Sequence, residues 1–390
     1  MNNTTNLEYG PVRADEIDGL NDLMEQALTF PIGAMAPWTA AIGHENIRAV
    51  RRDGRAVAGI SIIPMGHYFG GQSVRAGGIT TVGVAPEQRG SGVGLWMLQQ
   101  SLHELHRQAV PIATLYPATT AFYRRAGFER AAQRLLYDVP LAAIGVRDYT
   151  LDALPAVPDE YAIIKQLYVQ QAARNSAFID RPAFYWDTIL DPKDKRTYKF
   201  IIQRDGVPEG YVIFSHAAWG EALKVSDIVA LTPAAGRRLL TLLADHRSMI
   251  ETMRLPGGPN DTLLFLMAEQ KQKVGWSLDL MLRIVDVTSA LSTRGYPSGV
   301  NAELQLDVRD ELLPGNNGRF VLTIADRHAS VRSGGAGRMS LHVRDLAALY
   351  SGYLTPQELQ AAGSLDGSKA DLASAAQIFA GPRPWTPDMF

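Results

Sequence analysis

Residues 79–105 read ITTVGVAPEQRGSGVGLWMLQQSLHEL. The first six residues are rich in β-formers, and Pro86 then ends the strand because proline has no amide with which to continue a ladder. Leucines at positions 95, 98, 102 and 105 follow at the spacing of one helix face. The stretch therefore predicts a strand, a glycine-rich loop and an amphipathic helix, which together indicate an α/β fold.

The loop consists of Arg89, Gly90, Ser91, Gly92, Val93 and Gly94. Its glycines let successive backbone amides converge, and the helix N-terminus adds a partial positive charge, so the loop suits a pyrophosphate. A dinucleotide-binding G-x-G-x-x-G is broken here, and no Lys-Ser/Thr pair follows the last glycine, which excludes a P-loop. The pattern that remains is Arg-x-x-Gly-x-Gly, and a purely structural glycine turn is its alternative meaning.

Residues 79–105 resemble the coenzyme-A-binding motif of GNAT-type N-acetyltransferases, with Pro86 and Arg89 at the positions that the motif requires. The resemblance implies that acetyl-CoA is the cosubstrate and that the loop binds its pyrophosphate. It also implies that free backbone groups of Val82 and Val84 bind the pantetheine arm, much as a sheet edge accepts an added strand.

A second segment, AFYRRAGF at residues 121–128, resembles the F-Y-x-x-x-G-F segment of the same fold. The resemblance implies that Tyr123 faces the thioester sulfur. A phenol with a pKa near ~10 lies above an ordinary thiol near ~8.5, so proton donation is mildly uphill and a strong hydrogen bond can replace full transfer. Tyr123 is thus the predicted catalytic acid, and a packed aromatic is the alternative.

A strand-turn-strand phrase occurs twice, around Asp53-Gly54 and around Asp205-Gly206. Each copy is followed by a strand that ends in proline and then by a helix, at Pro86 and at Pro233. This repetition predicts a duplicated α/β unit. In the second copy the sequence AAGRR at 234–238 replaces the glycine loop and has a single glycine, which predicts one cofactor site per chain.

Beyond residue 297 the pattern changes. Alternating segments at 302–308 and 319–325 flank a dense turn at 314–318 and predict a hairpin, and helical spacing follows in 341–353 and 356–362. These pieces indicate a third domain.

The order of short segments along the whole chain, including LRIVDV at 282–287 and Leu-Tyr-x-Gly at 349–352, resembles the enhanced intracellular survival family of acetyltransferases. The resemblance implies a GNAT domain at 1–148, a second, degenerate GNAT domain at 149–288 and a sterol-carrier-like α+β domain at 289–390. It also implies a homo-oligomer, a hexamer.

In that family the last carboxylate of the chain serves as the catalytic base, and Phe390 fills the position. An α-carboxyl with a pKa near ~3.5 is ionised at neutral pH, and Pro382, Pro384 and Pro387 limit the entropy lost in placing it. A frayed terminus is the alternative. The apolar tail residues Trp385, Met389 and Phe390 disfavour a frayed, solvated end.

The acceptor is expected to be a cationic amine of a small-molecule or lysine-like substrate, bound by aromatic walls and a carboxylate. Phe30 and Trp38 are the aromatic candidates, and Asp388 is the acidic one. Aminoglycoside-acetylating relatives place an acidic residue just before an Ile-Gly pair, whereas Phe30-Pro31 stands there in this chain. That difference argues against aminoglycosides.

Composition excludes several other classes. The formal charge of -2 is dispersed and lacks the basic footprint that nucleic acids require. No apolar run approaches the ~20 residues of a membrane span, and the polar N-terminus predicts a cytoplasmic protein. Cysteine is absent, and no H-E-x-x-H pattern occurs, so no metal site is predicted. Two rival functions stay open: a lipid or sterol carrier, and a regulatory protein that binds acyl-CoA without turnover.

Overall fold

The computed structural model describes residues 6–217 and 222–390. Within them the strands form one sheet of 13 strands and a second sheet of five. Helices pack on both faces of the long sheet and beside the short one, so the predicted mixed α/β class is confirmed.

The first unit carries the strand, loop and helix predicted from residues 79–105. Its strands are β1 (Leu7–Pro11), β2 (Ile47–Arg52), β3 (Arg55–Phe69), β4 (Gln72–Val84), β5 (Ile112–Leu115) and β6 (Glu129–Pro140). Its helices are α1 (Ile17–Leu28), α2 (Met35–Ile42), α3 (Val93–Arg107) and α4 (Thr120–Arg124). The leucines at 98, 102 and 105 of α3 are buried against β3 and β4, as their spacing predicts.

The second unit repeats this order. Its strands are β7 (Asp152–Pro155), β8 (Ile179–Asp180), β9 (Tyr198–Arg204), β10 (Val207–His216), β11 (Leu223–Ala230), β12 (Thr252–Gly257) and β13 (Lys273–Ile284). Its helices are α5 (Tyr161–Ala173), α6 (Ala183–Leu190), α7 (Pro233–Ala244) and α8 (Thr262–Phe265). Both predicted Asp-Gly hairpins are present: positive φ angles of 51° and 78° at Asp53 and Gly54 recur as 48° and 80° at Asp205 and Gly206.

The two units exchange strands at their junction. β13 lies between β5 and β6 and is antiparallel to both, while β6 also pairs with β12. The long sheet is therefore continuous from one unit to the next, although residue 149 is the predicted start of the second domain. The linear boundary stays a prediction, and no break in the sheet marks it.

The third unit begins with α9 (Val287–Thr293) and contains the predicted hairpin. Its strands are β14 (Ala302–Arg309), β15 (Gly318–Ala325), β16 (His328–Ser333), β17 (Met339–His342) and β18 (Leu365–Asp366), and its further helices are α10 (Val343–Ser351), α11 (Pro356–Ala361) and α12 (Lys369–Ile378). A buried ion pair joins it to the long sheet, because Arg283 of β13 donates to Asp310 at 2.7 Å. In the described ranges, no helix has the length and apolar character required to cross a membrane.

Candidate active site

A gap opens in the long sheet where β4 and β5 part. They pair from Ala76 opposite Ile112 to Ile79 opposite Leu115, and β4 then continues alone along β3. A bulge sits just after this point, where Thr81 has a φ of 48° and the register with β3 shifts. Bulges redirect backbone groups, so the segment that contains Val82 and Val84 turns a free strand edge to the gap.

The glycine loop closes one end of this gap. Gly90 and Gly92 have φ angles of 78° and 92°, which only glycine adopts without strain. α3 starts directly after Gly92 and has no side-chain cap, so the amides of its first turn have no intrahelical partner. A Cβ on Gly94 would lie 3.2 Å from the Val84 side chain, so glycine keeps the entrance of the gap open.

The free edge of β4, the glycine loop and α4 together line a cavity of about 460 Å³. Of the predicted cofactor and catalytic residues, Val82, Val84, Arg89, Gly90, Gly92, Val93, Gly94 and Tyr123 all line it. Ser91 is not among the lining residues. Its hydroxyl instead donates to the Gln88 carbonyl at 2.6 Å and holds the turn in place. The cavity has the size and the free amide donors that an elongated diphosphate ligand requires.

Tyr123 is buried on one side of this cavity, at 6 % exposure. Phe122 and Phe128 meet its ring edge to face, with centroids at 5.0 and 6.1 Å. Its hydroxyl makes no hydrogen bond to any described residue. Burial raises the pKa of Tyr123 to about 12, so the phenol is protonated at neutral pH and can donate.

The corresponding helix of the second unit, α7, has a side-chain cap at its N-terminus, unlike α3. The Thr232 hydroxyl caps α7 by accepting from the Ala235 amide at 3.1 Å. One of the amides that the first unit leaves free is therefore satisfied within the protein, and Gly236 is the lone glycine of the segment.

The C-terminal tail is held along its whole length. Its backbone pairs with Gln133, whose amide donates to Pro384 O at 3.1 Å and whose carbonyl accepts from the Thr386 amide at 3.0 Å. Arg134 donates to Pro387 O at 3.1 Å, and the Tyr185 hydroxyl donates to Met389 O at 2.7 Å. The tail therefore lies between the first unit and the second, and the frayed alternative does not describe it.

Asp388, the predicted acidic contact for the acceptor, has a carboxylate that is already paired within the protein. It is 4 % exposed, and Arg181 donates to it at 2.7 Å while the Tyr168 hydroxyl donates at 3.0 Å. Arg181 also pairs with Asp227 at 2.5 Å and lies over the Tyr168 ring. Because the carboxylate is occupied within the protein, we assign Asp388 the role of anchoring the tail.

Phe390 ends next to the gap in the sheet. A Cβ on Gly78, one residue before the strands part, would lie 3.0 Å from its ring, and the Tyr116 ring lies 5.6 Å away. Phe390 belongs to the apolar core that includes Leu20 of α1, whereas Tyr123 belongs to the core beneath α3. The two predicted catalytic residues thus flank the gap from opposite faces of the sheet.

Neither of the predicted aromatic residues, Phe30 and Trp38, lines the cavity, and Trp38 packs against the apolar core that contains Phe390. Trp38 of α2 meets Phe184 of α6 edge to face at 6.1 Å, so the second unit supplies an aromatic partner. The Trp38 indole nitrogen is buried and has no hydrogen-bond partner among the described residues. Phe30 is 47 % exposed in the loop after α1, a loop that the Glu25 carboxylate fixes by accepting from the Met35 amide at 2.9 Å.

His67 lies beneath the Phe390 ring, 6.4 Å from it, and is fully buried. Its Nδ1 donates to Ala177 O at 3.0 Å, which leaves Nε2 to accept from the Thr114 hydroxyl at 2.9 Å. Burial lowers the pKa of His67 from 6.5 to about 4. The imidazole is therefore neutral at physiological pH.

This burial predicts an acid-dependent loss of stability. Between pH 6.5 and pH 4 the unfolded chain binds a proton at His67 that the folded chain rejects, so the free energy of unfolding is expected to fall by about 3 kcal/mol across that window. His67→Gln removes this contribution. Urea titrations at pH 7 and pH 5 should show a smaller pH difference for His67→Gln than for the wild type or for the exposed control His328→Gln. Equal differences in all three would contradict the assignment.

Several contributors to the site carry no local signal in the sequence. Arg181, Tyr185 and Phe184 belong to the second unit and reach the tail or α2 only after folding. Tyr116, directly after β5, donates to the Asp388 carbonyl. The only signal in the sequence for these contacts is general: buried tyrosines such as Tyr116 and Tyr185 usually hydrogen-bond to another group.

Profiles of known protein families match three stretches of the chain. The acetyltransferase (GNAT) domain matches residues 8–131, a second acetyltransferase (GNAT) domain matches residues 177–284, and the sterol carrier protein domain matches residues 287–387. Among the described residues, no group of three or more His, Asp or Glu side chains could hold a metal ion.

Proteins of similar sequence and structure extend over nearly the whole chain. An uncharacterized N-acetyltransferase of Streptomyces avermitilis is 30% identical, over 82% of this chain and 83% of that protein. The N-acetyltransferase Eis of Mycobacterium tuberculosis is 27% identical, over 85% and 89%. The crystal structure of a GCN5-related N-acetyltransferase from Anabaena variabilis superposes with a TM-score of 0.95 at 36% identity, over 98% of this chain and 100% of that one. The chain therefore belongs to the GNAT N-acetyltransferases and is an enzyme of that type, built from two GNAT domains and a C-terminal sterol carrier protein domain.

Proposed function

We propose that the chain transfers the acetyl group of acetyl-CoA to a primary amine by direct attack in the gap between β4 and β5. One observation carries the proposal. Tyr123 is only 6 % exposed, its hydroxyl has no hydrogen-bond partner among the described residues, and it lines the same cavity as the glycine loop. A phenol hydroxyl both donates and accepts hydrogen bonds, so one that lines a cavity without a partner in the protein is available to bind a ligand atom.

Different residues of the cavity would bind different parts of the acetyl-CoA donor. The Ser91 amide donates to the Gln88 carbonyl at 3.4 Å, so the amides of Gly92, Val93 and Gly94 at the start of α3 would bind the diphosphate. The free edge of β4 at Val82 and Val84 would bind the amides of the pantetheine arm. Arg89 donates to the Ala27 carbonyl at 2.9 Å, which keeps its guanidinium at the mouth of the cavity. With the diphosphate and the pantetheine arm bound in this way, the thioester would lie next to Tyr123.

The chemistry balances without a covalent enzyme intermediate. The amine nitrogen forms a bond to the acetyl carbon, the carbon–sulfur bond breaks, and the products are an acetamide and a free thiol. The Phe390 carboxylate, directly or through water, accepts the proton that the nitrogen loses. The Tyr123 hydroxyl donates a hydrogen bond to the departing sulfur.

The raised pKa of Tyr123 decides between proton transfer and hydrogen bonding at the sulfur. A phenol with a pKa of about 12 lies roughly 3.5 units above an ordinary thiol, so complete transfer costs about 5 kcal/mol. A neutral donor that stabilises the thiolate through a hydrogen bond avoids this cost. Tyr123 therefore acts as a hydrogen-bond donor, and solvent completes protonation of the thiolate.

Tyr123→Phe tests this role. We expect kcat to fall by about 10²-fold because the departing thiolate loses its donor, while the KM for acetyl-CoA stays within about twofold because the ring still fills its place. Thiol release, with product masses measured for a panel of primary amines, checks both the reaction and the acceptor class. The exposed variant Tyr149→Phe is the control. Undiminished turnover in Tyr123→Phe would remove the tyrosine from the mechanism.

The acceptor class follows from the surroundings of Phe390. The Phe390 carboxylate favours a cationic amine, and the aromatic pair Trp38 and Phe184 lies on the same face of the sheet. Cations bind well over such rings. We therefore propose a small-molecule or lysine-like amine as the acceptor, with Phe30 and Trp38 at its binding site.

A lipid or sterol carrier is the second candidate, because a sterol carrier protein domain matches residues 287–387. The carrier function leaves the unpartnered Tyr123 hydroxyl without a purpose. Calorimetric titration with coenzyme A and with lipid vesicles separates the two candidates: binding of lipid alone favours the carrier. A cytoplasmic location and a hexameric assembly stay predictions, and sedimentation measures the assembly.

A further inference from the structure

A second cavity, of about 200 Å³, lies where the first GNAT domain meets the sterol carrier domain. Gln99 of α3 and residues 124–127 line it on one side, and residues 310–312 with His342 and Arg344 line it on the other. Arg125 lines both this cavity and the donor cavity, so the two are adjacent.

Most charges in this interdomain cavity are already paired. Arg124 donates to Glu129 at 2.7 Å, Arg283 to Asp310 at 2.7 Å, and His342 pairs with Glu311 at 2.7 Å. Arg125 and Arg344 form neither an ion pair nor a side-chain hydrogen bond within the described part of the chain. The cavity thus has two guanidinium groups whose hydrogen-bonding capacity is unused within the described residues, one contributed by each domain, although Asp345 interacts electrostatically with Arg344.

Arg344 is held in a position where it lacks an acceptor. It lies in the first turn of α10, where its amide donates to His342 Nδ1 at 3.1 Å, and α10 packs against β6 and β13. Its Nε is buried and has no acceptor among the described residues. A buried guanidinium nitrogen without an acceptor is destabilising, so an anion that bound there would be stabilised strongly.

We propose that Arg125 and Arg344 bind the 3′-phosphate of the donor's ribose, an inference that rests on the proposed acetyl-CoA site. A phosphate monoester carries nearly two negative charges and accepts bidentate hydrogen bonds, which matches two guanidinium groups that line one cavity. The loop at 90–94 accounts for the diphosphate of coenzyme A, and the 3′-phosphate is its one remaining phosphate. The sterol carrier domain thereby takes part in donor recognition through Arg344.

Calorimetric binding of coenzyme A and of 3′-dephospho-coenzyme A tests this proposal without relying on turnover. The wild type is expected to bind coenzyme A at least about tenfold tighter than the dephosphorylated ligand. Arg344→Ala and, separately, the exposed Arg125→Ala should weaken coenzyme A binding by about that factor and leave the affinity for 3′-dephospho-coenzyme A unchanged. Arg332→Ala, an exposed arginine on β16, is the matched control and should bind both ligands like the wild type.

Equal affinity of the wild type for the two ligands would overturn the 3′-phosphate site and leave the proposed function intact. Weaker binding of both ligands by either variant would also overturn it, because that result indicates a general disturbance of the donor cavity. Failure of both ligands to bind the wild type would instead contradict the proposed function. Arg125→Ala keeps the test decisive if loss of the partly buried Arg344 disturbs folding.

Discussion

Removal of Phe390 is expected to lower kcat/KM for acetyl transfer by about two to three orders of magnitude, the contribution of a positioned general base. The deletion moves the terminal carboxylate back by one residue, to Met389, whose carbonyl position is fixed by the Tyr185 hydroxyl at 2.7 Å. The new carboxylate therefore cannot swing forward to the gap. Affinity for coenzyme A, measured by calorimetry, should be unchanged because Phe390 does not line the donor cavity.

A matched variant separates the carboxylate from the ring. Phe390→Leu keeps the terminal carboxylate and loses the contacts with the His67 and Tyr116 rings, so we expect a loss of less than about tenfold. The deletion variant should also recover activity as the pH rises toward the pKa of the acceptor amine, because a larger fraction of amine is then already neutral. If Phe390→Leu and the deletion lost activity equally, the ring, and not the carboxylate, would be the important group.

Replacement of Arg181 by leucine is expected to lower the free energy of unfolding by about 3–5 kcal/mol. Arg181 is fully buried and neutralises two carboxylates, those of Asp227 and Asp388, at 2.5 and 2.7 Å. Without it two buried carboxylates lose their shared cation, which leaves uncompensated charge in the interior. Burial already raises the pKa of Asp388, so the variant should regain part of its stability as the pH falls and this carboxyl takes up a proton.

Arg254→Leu is the control for this experiment, because Arg254 pairs with Asp138 at 2.6 Å in a geometry of the same kind on the surface. Exposed pairs of this type contribute less than about 1 kcal/mol. Urea unfolding at pH 7 compares the two variants. Arg181→Leu should also reduce acetyl transfer, since Asp388 anchors the tail two residues before Phe390. A variant as stable as Arg254→Leu would show that the buried ion pair does not hold the tail.

The local structure of the proposed donor site could be predicted from the sequence, because its parts are local. A strand end, three glycines and a helix start lie within residues 79–105, and the positive φ angles of Gly90 and Gly92 follow from residue type. Tyr123 comes from a short motif on one helical turn. The hydrogen bond from the Ser91 hydroxyl to the Gln88 carbonyl has no signal in the sequence, and whether Ser91 binds phosphate stays a prediction.

The acceptor side could not be predicted in the same way, because it is assembled from distant segments. Asp388 is an acidic residue near the end of an apolar tail, which suggested a substrate contact. Its actual partner, Arg181, lies 207 positions away, and no sequence spacing reveals that pair. Phe184, which meets Trp38, likewise belongs to the second unit.

The amino-acid sequence alone determined the duplicated unit, the single glycine loop and the turn positions, since each depends on the φ angles and the hydrophobic spacing of neighbouring residues. Only the tertiary structure decided that β13 enters the first sheet, that the tail is clamped between two domains, and that Arg125 and Arg344 face one cavity. Hydrogen bonds between strands and ion pairs between buried side chains join residues regardless of their separation along the chain, so local patterns do not specify their partners.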